Sequence, residues 1–169
     1  MPILIIYNPA SGKNLNLVPL IESRLNKENI PFELKKTEKR NDTYYFAKTI
    51  DLSKYSMLVA AGGDGSYHEV VNGMLAREDK LKLPIGMLPN GSGNDTCTSI
   101  GVLTLNDALD YIVNGEVIAI DTVRCLIDYD KFEDVPKTDE GLFNHCRHML
   151  INANLAMPAK IANAAGRYK

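Results

Sequence analysis

The chain opens on a continuous apolar run, Ile3-Leu4-Ile5-Ile6-Tyr7, closed by Asn8-Pro9. A run without polar alternation is how a strand buried on both faces reads, and it predicts a strand inside a parallel sheet. Residues 15–28 carry Leu17, Leu20, Ile21 and Leu25 at helical spacing, and Pro31 separates them from Phe32-Glu33-Leu34, which completes a β-α-β unit. The alternation repeats. A helical stretch over 42–51 leads to Met57–Ala61, and a third over Tyr67–Arg77 leads to Ile85-Gly86-Met87-Leu88, with a further helix near 105–113. Strands alternating with helices predict an α/β fold with a doubly wound, mostly parallel sheet. The style then changes. Val117–Ile127 and Cys146–Leu155 read as two longer β segments that could pair as an antiparallel hairpin around an acidic loop with Asp128, Asp130, Glu133, Asp134, Asp139 and Glu140. Ala159–Lys169 is Ala-rich and helical in character.

At 169 residues the chain has room for one main core, as an ordinary domain does. Its 45% hydrophobic and 24% charged residues are a globular composition, and no apolar run approaches the roughly 20 residues that span a bilayer. The net charge of −2 supplies none of the broad positive potential on which nonspecific nucleic-acid binding rests. Three cysteines, Cys97, Cys125 and Cys146, lack metal-ligand spacing and fit a reducing, cytoplasmic setting. The opening strand leaves no room for a cleavable signal sequence.

In an open parallel sheet, ligands bind beyond the carboxyl ends of the strands, so the turns leaving each strand carry the chemistry. Three are unusual: Asn8-Pro9-Ala10-Ser11-Gly12-Lys13, Gly62-Gly63-Asp64-Gly65-Ser66 and Pro89-Asn90-Gly91-Ser92-Gly93-Asn94-Asp95. All three are expected at one rim. Glycine lets backbone N–H groups approach a phosphate, and a helix N-terminus adds favourable partial charge. Asp64 between glycines is more than a turn requires. Ser66 and Glu69 also fit a capping box on the helix that follows. A Walker A loop is excluded, because Tyr7 stands where its first glycine belongs and Asn14 where its hydroxyl belongs. Thr96 in place of a third glycine disfavours a dinucleotide fingerprint. His145 and His148 fall on mismatched strand faces and read as ordinary strand residues. The mostly basic run Lys35–Arg40 reads as a solvated loop that could meet an anionic membrane surface.

The segments NPASGK at 8–13, GGDGSYHEVVNGML at 62–75 and LPIGMLPNGSGNDTCTSIG at 83–101, in this order, resemble the lipid kinases that share the diacylglycerol-kinase catalytic domain, including sphingosine kinases and bacterial diacylglycerol kinases. A weaker similarity continues through Ala108–Gly115 and Ile120-Asp121. The resemblance implies a phosphofructokinase-like nucleotide domain over residues 1–125 that uses ATP and Mg²⁺, followed over 126–169 by a hairpin and the start of a truncated β-rich lobe. It implies transfer of the γ-phosphate to a hydroxyl of a membrane lipid such as diacylglycerol or a sphingoid base, at the surface of the membrane. By the same resemblance Asn8, Ser11 and Gly12 contact nucleotide phosphates. Gly62, Gly63 and Gly65 form the tight phosphate loop, flanked by Ser66 and Glu69, with Gly91, Ser92, Gly93 and Asn94 on the opposite wall. Asp64 is the implied catalytic carboxylate, taking the proton of the lipid hydroxyl or holding Mg²⁺ through water.

Two departures matter. Ser66 stands where the family usually has threonine and keeps the hydroxyl. In Ile151–Lys160, where several members carry a glycine and an acidic residue facing the lipid head group, the best alignment offers Ala156 and Pro158. Two rival readings stay open: an NAD kinase-like phosphotransferase, which shares G-G-D-G, and a noncatalytic nucleotide-binding fragment.

Overall fold

A computed structural model describes residues 1–12, 17–126 and 146–150. Its centre is a four-stranded parallel sheet in the order β2-β1-β3-β4. The strands are β1 (Ile3–Tyr7), β2 (Phe32–Lys36), β3 (Met57–Gly62) and β4 (Ile85–Pro89). The two central strands are the fully apolar runs. Ile3–Ile6 and Leu58–Ala61 are all buried, as strands covered on both faces must be. The edge strand β2 instead carries exposed Glu33 and Lys36, charges that discourage pairing with another chain.

Five helices complete the described α/β layers: α1 (Leu17–Lys27), α2 (Asp42–Thr49), α3 (Asp64–Leu75), α4 (Asp95–Ser99) and α5 (Leu105–Asn114). The chain moves outward from β1 to β2 and then reverses to β3, so right-handed crossovers place α1 on one face and α2 and α3 on the other. Arg24 of α1 reaches Asp110 of α5 at 2.7 Å, and α2 packs along α3. That second contact is close because Gly73 has no side chain: a Cβ there would stand 2.3 Å from the Tyr44 carbonyl oxygen.

Helix α3 holds α2 at both ends. The buried Arg77, just past α3, donates to the carbonyls of Ala47, Lys48 and Ile50 at 3.0, 3.0 and 2.9 Å, satisfying orphan acceptors at the C-terminus of α2. At the other end the Glu69 carboxylate faces Thr43 and the Tyr44 and Asn41 backbone. Burial raises its pKa, against the lowering pull of these groups and of Arg40. Asp42 accepts from the N–H groups of Glu38 and Lys39 at 2.8 and 2.9 Å, which fixes the loop leaving β2.

The four expected strands of the parallel sheet appear with boundaries moved by at most two residues, and α3 starts at Asp64 rather than Tyr67. The capping box expected from Ser66 and Glu69 does not form. Gly63 is the N-cap of α3 and makes no side-chain cap, so Ser66 lies within the first turn and Glu69 turns to α2. The expected strand over Val117–Ile127 shrinks to β5 (Val123–Leu126). Val117 and Ile118 are 64% and 67% exposed and pair with no strand among the described residues. The expected hairpin is present: β5 pairs antiparallel with β6 (Cys146–Met149). The acidic loop, the remainder of Cys146–Leu155, the Ala-rich end and the Ala156 and Pro158 positions lie outside the described residues.

The Asn72 side chain ties the hairpin to α3. Buried Asn72 of α3 receives the His148 N–H at 2.8 Å and donates to the His148 carbonyl at 3.0 Å, copying the exchange of a neighbouring strand. Thr122 adds a contact to His148 Nδ1 at 3.0 Å. Asn72→Leu removes both backbone partners. The expected loss is about 1–3 kcal/mol by chemical denaturation, with faster amide exchange at His148; unchanged exchange there would show that the hairpin is held by other contacts.

Candidate functional site

The parallel register carries the three glycine-containing turns to one rim. Tyr7 is level with Ala61 and Lys36, and Gly62 is level with Pro89, so the loops at 8–12, 62–66 and 89–95 leave the sheet side by side. The chain reverses direction between β1 and β3, which places the crevice of the doubly wound sheet at this point.

Hydrogen bonds lace the loops together. Asn8 N–H donates to the Ala61 carbonyl at 3.1 Å, and its Nδ2 reaches Ser66 Oγ at 3.4 Å. Asn8 also shapes its own turn: its Oδ1 accepts from Ala10 N–H at 2.9 Å, and its carbonyl accepts from the Ser11 hydroxyl at 2.9 Å. The buried Asn90 bridges all three strand ends, donating Nδ2 to the Ser11 carbonyl at 2.7 Å and N–H to the Gly62 carbonyl at 2.8 Å. Asn94 folds the third loop on itself, accepting from Gly91 N–H at 2.8 Å and donating to the Gly91 carbonyl at 3.0 Å.

The glycines divide by the space around them. Gly12 has φ +81°, and a Cβ on it would fall 1.7 Å from the Asn90 carbonyl oxygen. Gly63 and Gly91 press backbone on backbone: a Cβ on Gly91 would stand 2.6 Å from Gly63 Cα. Gly62 is crowded by Ser66 Oγ at 2.4 Å. Gly65 is different, with nothing within 4 Å of its built Cβ. It lies in the first turn of α3, ahead of the first backbone bond from Ser66 N–H to Gly63, where N–H groups and the helix dipole favour an anion. Ser92 and Gly93 are exposed on the facing loop.

Asp64 joins the second loop to the third. Its Oδ1 accepts from Thr96 N–H and from the Thr96 hydroxyl, each at 2.9 Å, and its Oδ2 accepts from Asp95 N–H at 3.1 Å. It thereby caps α4 from 31 residues away. Burial raises its carboxyl pKa, but the donors at Thr96, Asp95 and Asn94 outweigh burial and hold it below the usual carboxylate range. The side chain is kept anionic. The buried Cys97 thiol behind it is pushed up to about 11, by burial and then by the Asp64 charge, so it stays protonated and is no nucleophile.

Every residue expected at the site is therefore near the rim except Glu69, whose carboxylate is turned to α2. Ser66 and Asn94 are engaged in holding loops together. Lys13 lies outside the described residues. Sequence reasoning missed two residues: Asn90, whose signal was an amide directly after a strand, and Thr96, noted only as the absence of a glycine. Among the described residues no three His, Cys, Asp or Glu side chains converge on a possible metal site. A divalent cation here would be held by Asp64 together with a substrate's phosphates, the usual mode for Mg²⁺. An apolar hollow of about 540 Å³, lined by Tyr67, Val71, Met74, Met87 and Ile112 among others, follows β4 and α5 and also takes in Cys97.

Two outcomes are expected from this geometry. Gly12→Ala, forced into positive φ and against Asn90, loses about 1–3 kcal/mol, whereas Gly65→Ala stays within about 1 kcal/mol of the parent; equal denaturation midpoints for the two would refute the close packing at Gly12. For Asp64, a depressed folded pKa stabilises the fold above the unfolded value of about 3.9 and is lost as pH falls through the folded value. The stability gap between the parent and Asp64→Asn is therefore expected to be level near neutrality and to shrink below about pH 4; thermal melts from pH 7 to 3 measure it.

Comparison with known proteins matches this arrangement to a family. The model of the diacylglycerol kinase catalytic domain covers residues 2–125. A diacylglycerol kinase of Staphylococcus epidermidis is 36% identical over 120 residues, which are 69% of this chain and 37% of that protein. Sphingosine kinase 1 of Arabidopsis thaliana is 38% identical over 155 residues, 83% of this chain and 31% of that protein. The crystal structure of a diacylglycerol kinase from Bacillus anthracis superposes with a TM-score of 0.61 at 25% identity, covering 72% of this chain and 42% of that one. The chain thus spans well under half the length of these relatives. No helix among the described residues is long and apolar enough to cross a membrane. With the matched segment running from β1 into β5 and containing all three rim loops, the chain belongs to the family defined by the diacylglycerol kinase catalytic domain.

Proposed function

We propose that this chain is the ATP-binding module of a lipid kinase, transferring the γ-phosphate of ATP to a hydroxyl of diacylglycerol or a sphingoid base. The observation that carries the reading is an anionic Asp64 at the N-terminus of α3, fixed by Thr96 and Asp95 within a rim of glycine-containing loops. Residues 1–125 are the catalytic module in this reading, and 126–169 open a second lobe. Residue 125 falls within β5, so the hairpin is where the two join.

The phosphates would lie over the first turn of α3 at Gly65, with Asn8, Ser11 and Gly12 on one side and Ser92 and Gly93 on the other. Gly65 and Gly93 leave their approaches bare, and the α3 N-terminus adds positive partial charge. Mg²⁺, when bound, would supply neutralisation of the phosphate charge. Asp64 would accept a hydrogen bond from the incoming hydroxyl or from a metal-bound water. Its low pKa suits it to orienting the nucleophile, and positioning with charge stabilisation is most of what phosphoryl transfer requires. The protein would meet its lipid peripherally. Exposed Lys36 ends β2, and exposed Lys39 and Arg40 lie on the loop that follows, at the same rim, where anionic head groups would favour them.

The test is transfer of label from [γ-³²P]ATP to diacylglycerol, sphingosine or NAD, run with calorimetry of Mg-ATP binding. Label in a chloroform-soluble product is expected, and Asp64→Asn is expected to lower its rate at least about 100-fold while ATP binding persists. Label on NAD would replace this reading with an NAD kinase-like one. ATP binding without transfer to any acceptor would make the chain a nucleotide-binding module.

A further inference from the structure

We propose that Thr96 is a positioning residue that decides which oxygen of Asp64 faces the reaction; the proposal rests on the kinase reading above. A carboxylate oxygen has two lone-pair positions. Both positions on Asp64 Oδ1 are taken, one by Thr96 N–H and one by the Thr96 hydroxyl, each at 2.9 Å. Oδ2 accepts from Asp95 N–H at 3.1 Å, the Asn94 backbone is a further donor to the carboxylate, and Oδ2 is the oxygen on the exposed Gly93 side, where a substrate hydroxyl or a bound water would approach. Gly93 keeps that side open: a Cβ built on it would stand 3.5 Å from Oδ2, and a longer side chain would cover the approach.

Thr96 itself is buried, 5% exposed, and does not reach the rim, so it acts through Asp64. Its place is fixed from behind. The Ser99 hydroxyl donates to the Thr96 carbonyl at 2.8 Å and the Thr98 hydroxyl to the Asn94 carbonyl at 3.1 Å, which brace the short helix α4. The backbone donors to Asp64 hold the carboxylate near α4 whatever side chain stands at 96. The hydroxyl adds the second bond to Oδ1 and stops the carboxylate rotating to present that oxygen instead. Only this last contribution disappears in Thr96→Val, which keeps the branched shape.

The experiment compares wild type, Thr96→Val and Thr96→Ser for kcat of transfer to diacylglycerol or sphingosine, KM for Mg-ATP, Mg-ATP affinity by calorimetry, and melting temperature. Valine is expected to lower kcat about 10-fold or more, as small misplacements of a reacting group do, with KM and affinity within about twofold. Serine, which restores the donor, is expected to recover kcat to within about threefold of wild type. Valine with wild-type kcat would overturn the proposal. Valine and serine impaired alike would also overturn it, because packing of the methyl group would then be the cause. If the valine variant fails to fold, alanine takes its place against serine and reads the same contrast. A wild-type chain that binds no Mg-ATP overturns the kinase reading and this proposal with it; a wild type that transfers phosphate, with valine equal to it, overturns this proposal alone.

Discussion

The backbone contact between Gly63 and Gly91 is the constraint on which the rim depends. Two chains can approach this closely only where neither carries a Cβ, and a Cβ on either glycine would stand 3.0 Å or less from the other's Cα. Parallel strands fix the distance between β3 and β4, but not how near their exit loops come. The paired glycines bring the third loop against the start of α3, and that proximity allows Asp64 to reach Thr96 and Asp95. With bulkier residues at 63 and 91 the loops would part, and Asp64 would be a solvated carboxylate at the start of its own helix.

Asp64 is asked to do two things by the same geometry. As a cap on α4 it satisfies N–H donors that a five-residue helix cannot satisfy internally, a contribution of about 1 kcal/mol for a typical cap. As an anion facing the loop rim it must stay approachable from that side. Its orientation reconciles the demands: Oδ1 is turned to the buried Thr96, and Oδ2 lies on the exposed Gly93 side. The depressed pKa follows from the same donors, so ionisation and orientation have one cause.

Much of the sheet was legible because its signals are local. Ile3–Ile6 and Leu58–Ala61 are apolar without interruption, and burial on both faces is the environment that such runs require. The three rim loops were legible as unusual, but the purpose of their glycines was not. Gly12, Gly62, Gly63 and Gly91 read as room for a phosphate, whereas the contacts at Asn90, Ser66 and the opposing backbone show room made for other loops. Gly65 and Gly93 fit the original expectation better. The missed features are nonlocal. Helix α4 has a polar sequence and a cap from Asp64, far off in the chain. Ser66 and Glu69 have the right spacing for a capping box, yet Glu69 is drawn to the start of α2 and Asn8 engages Ser66. Val117 and Ile118 carry strand-forming side chains, but a strand needs a partner and none of the described strands runs beside them.

Helix α2 connects the rim to the rest of the domain. Its C-terminal carbonyls are gathered by Arg77 and its N-terminus faces Glu69, both supplied from α3 or its immediate end, so α3 grips α2 at both ends. The placement of charge is the favourable one at each end, a carboxylate at the positive pole and a guanidinium at the negative. Arg77 is also 5% exposed, and a cation so buried is tolerated because carbonyls and Asp79 surround it. The consequence reaches the rim through Asp42, which fixes the loop after β2, and through Asp64, which begins α3. Locking α3 against α2 therefore sets the direction of the α3 N-terminus, and the direction of that N-terminus determines where an anion can be held.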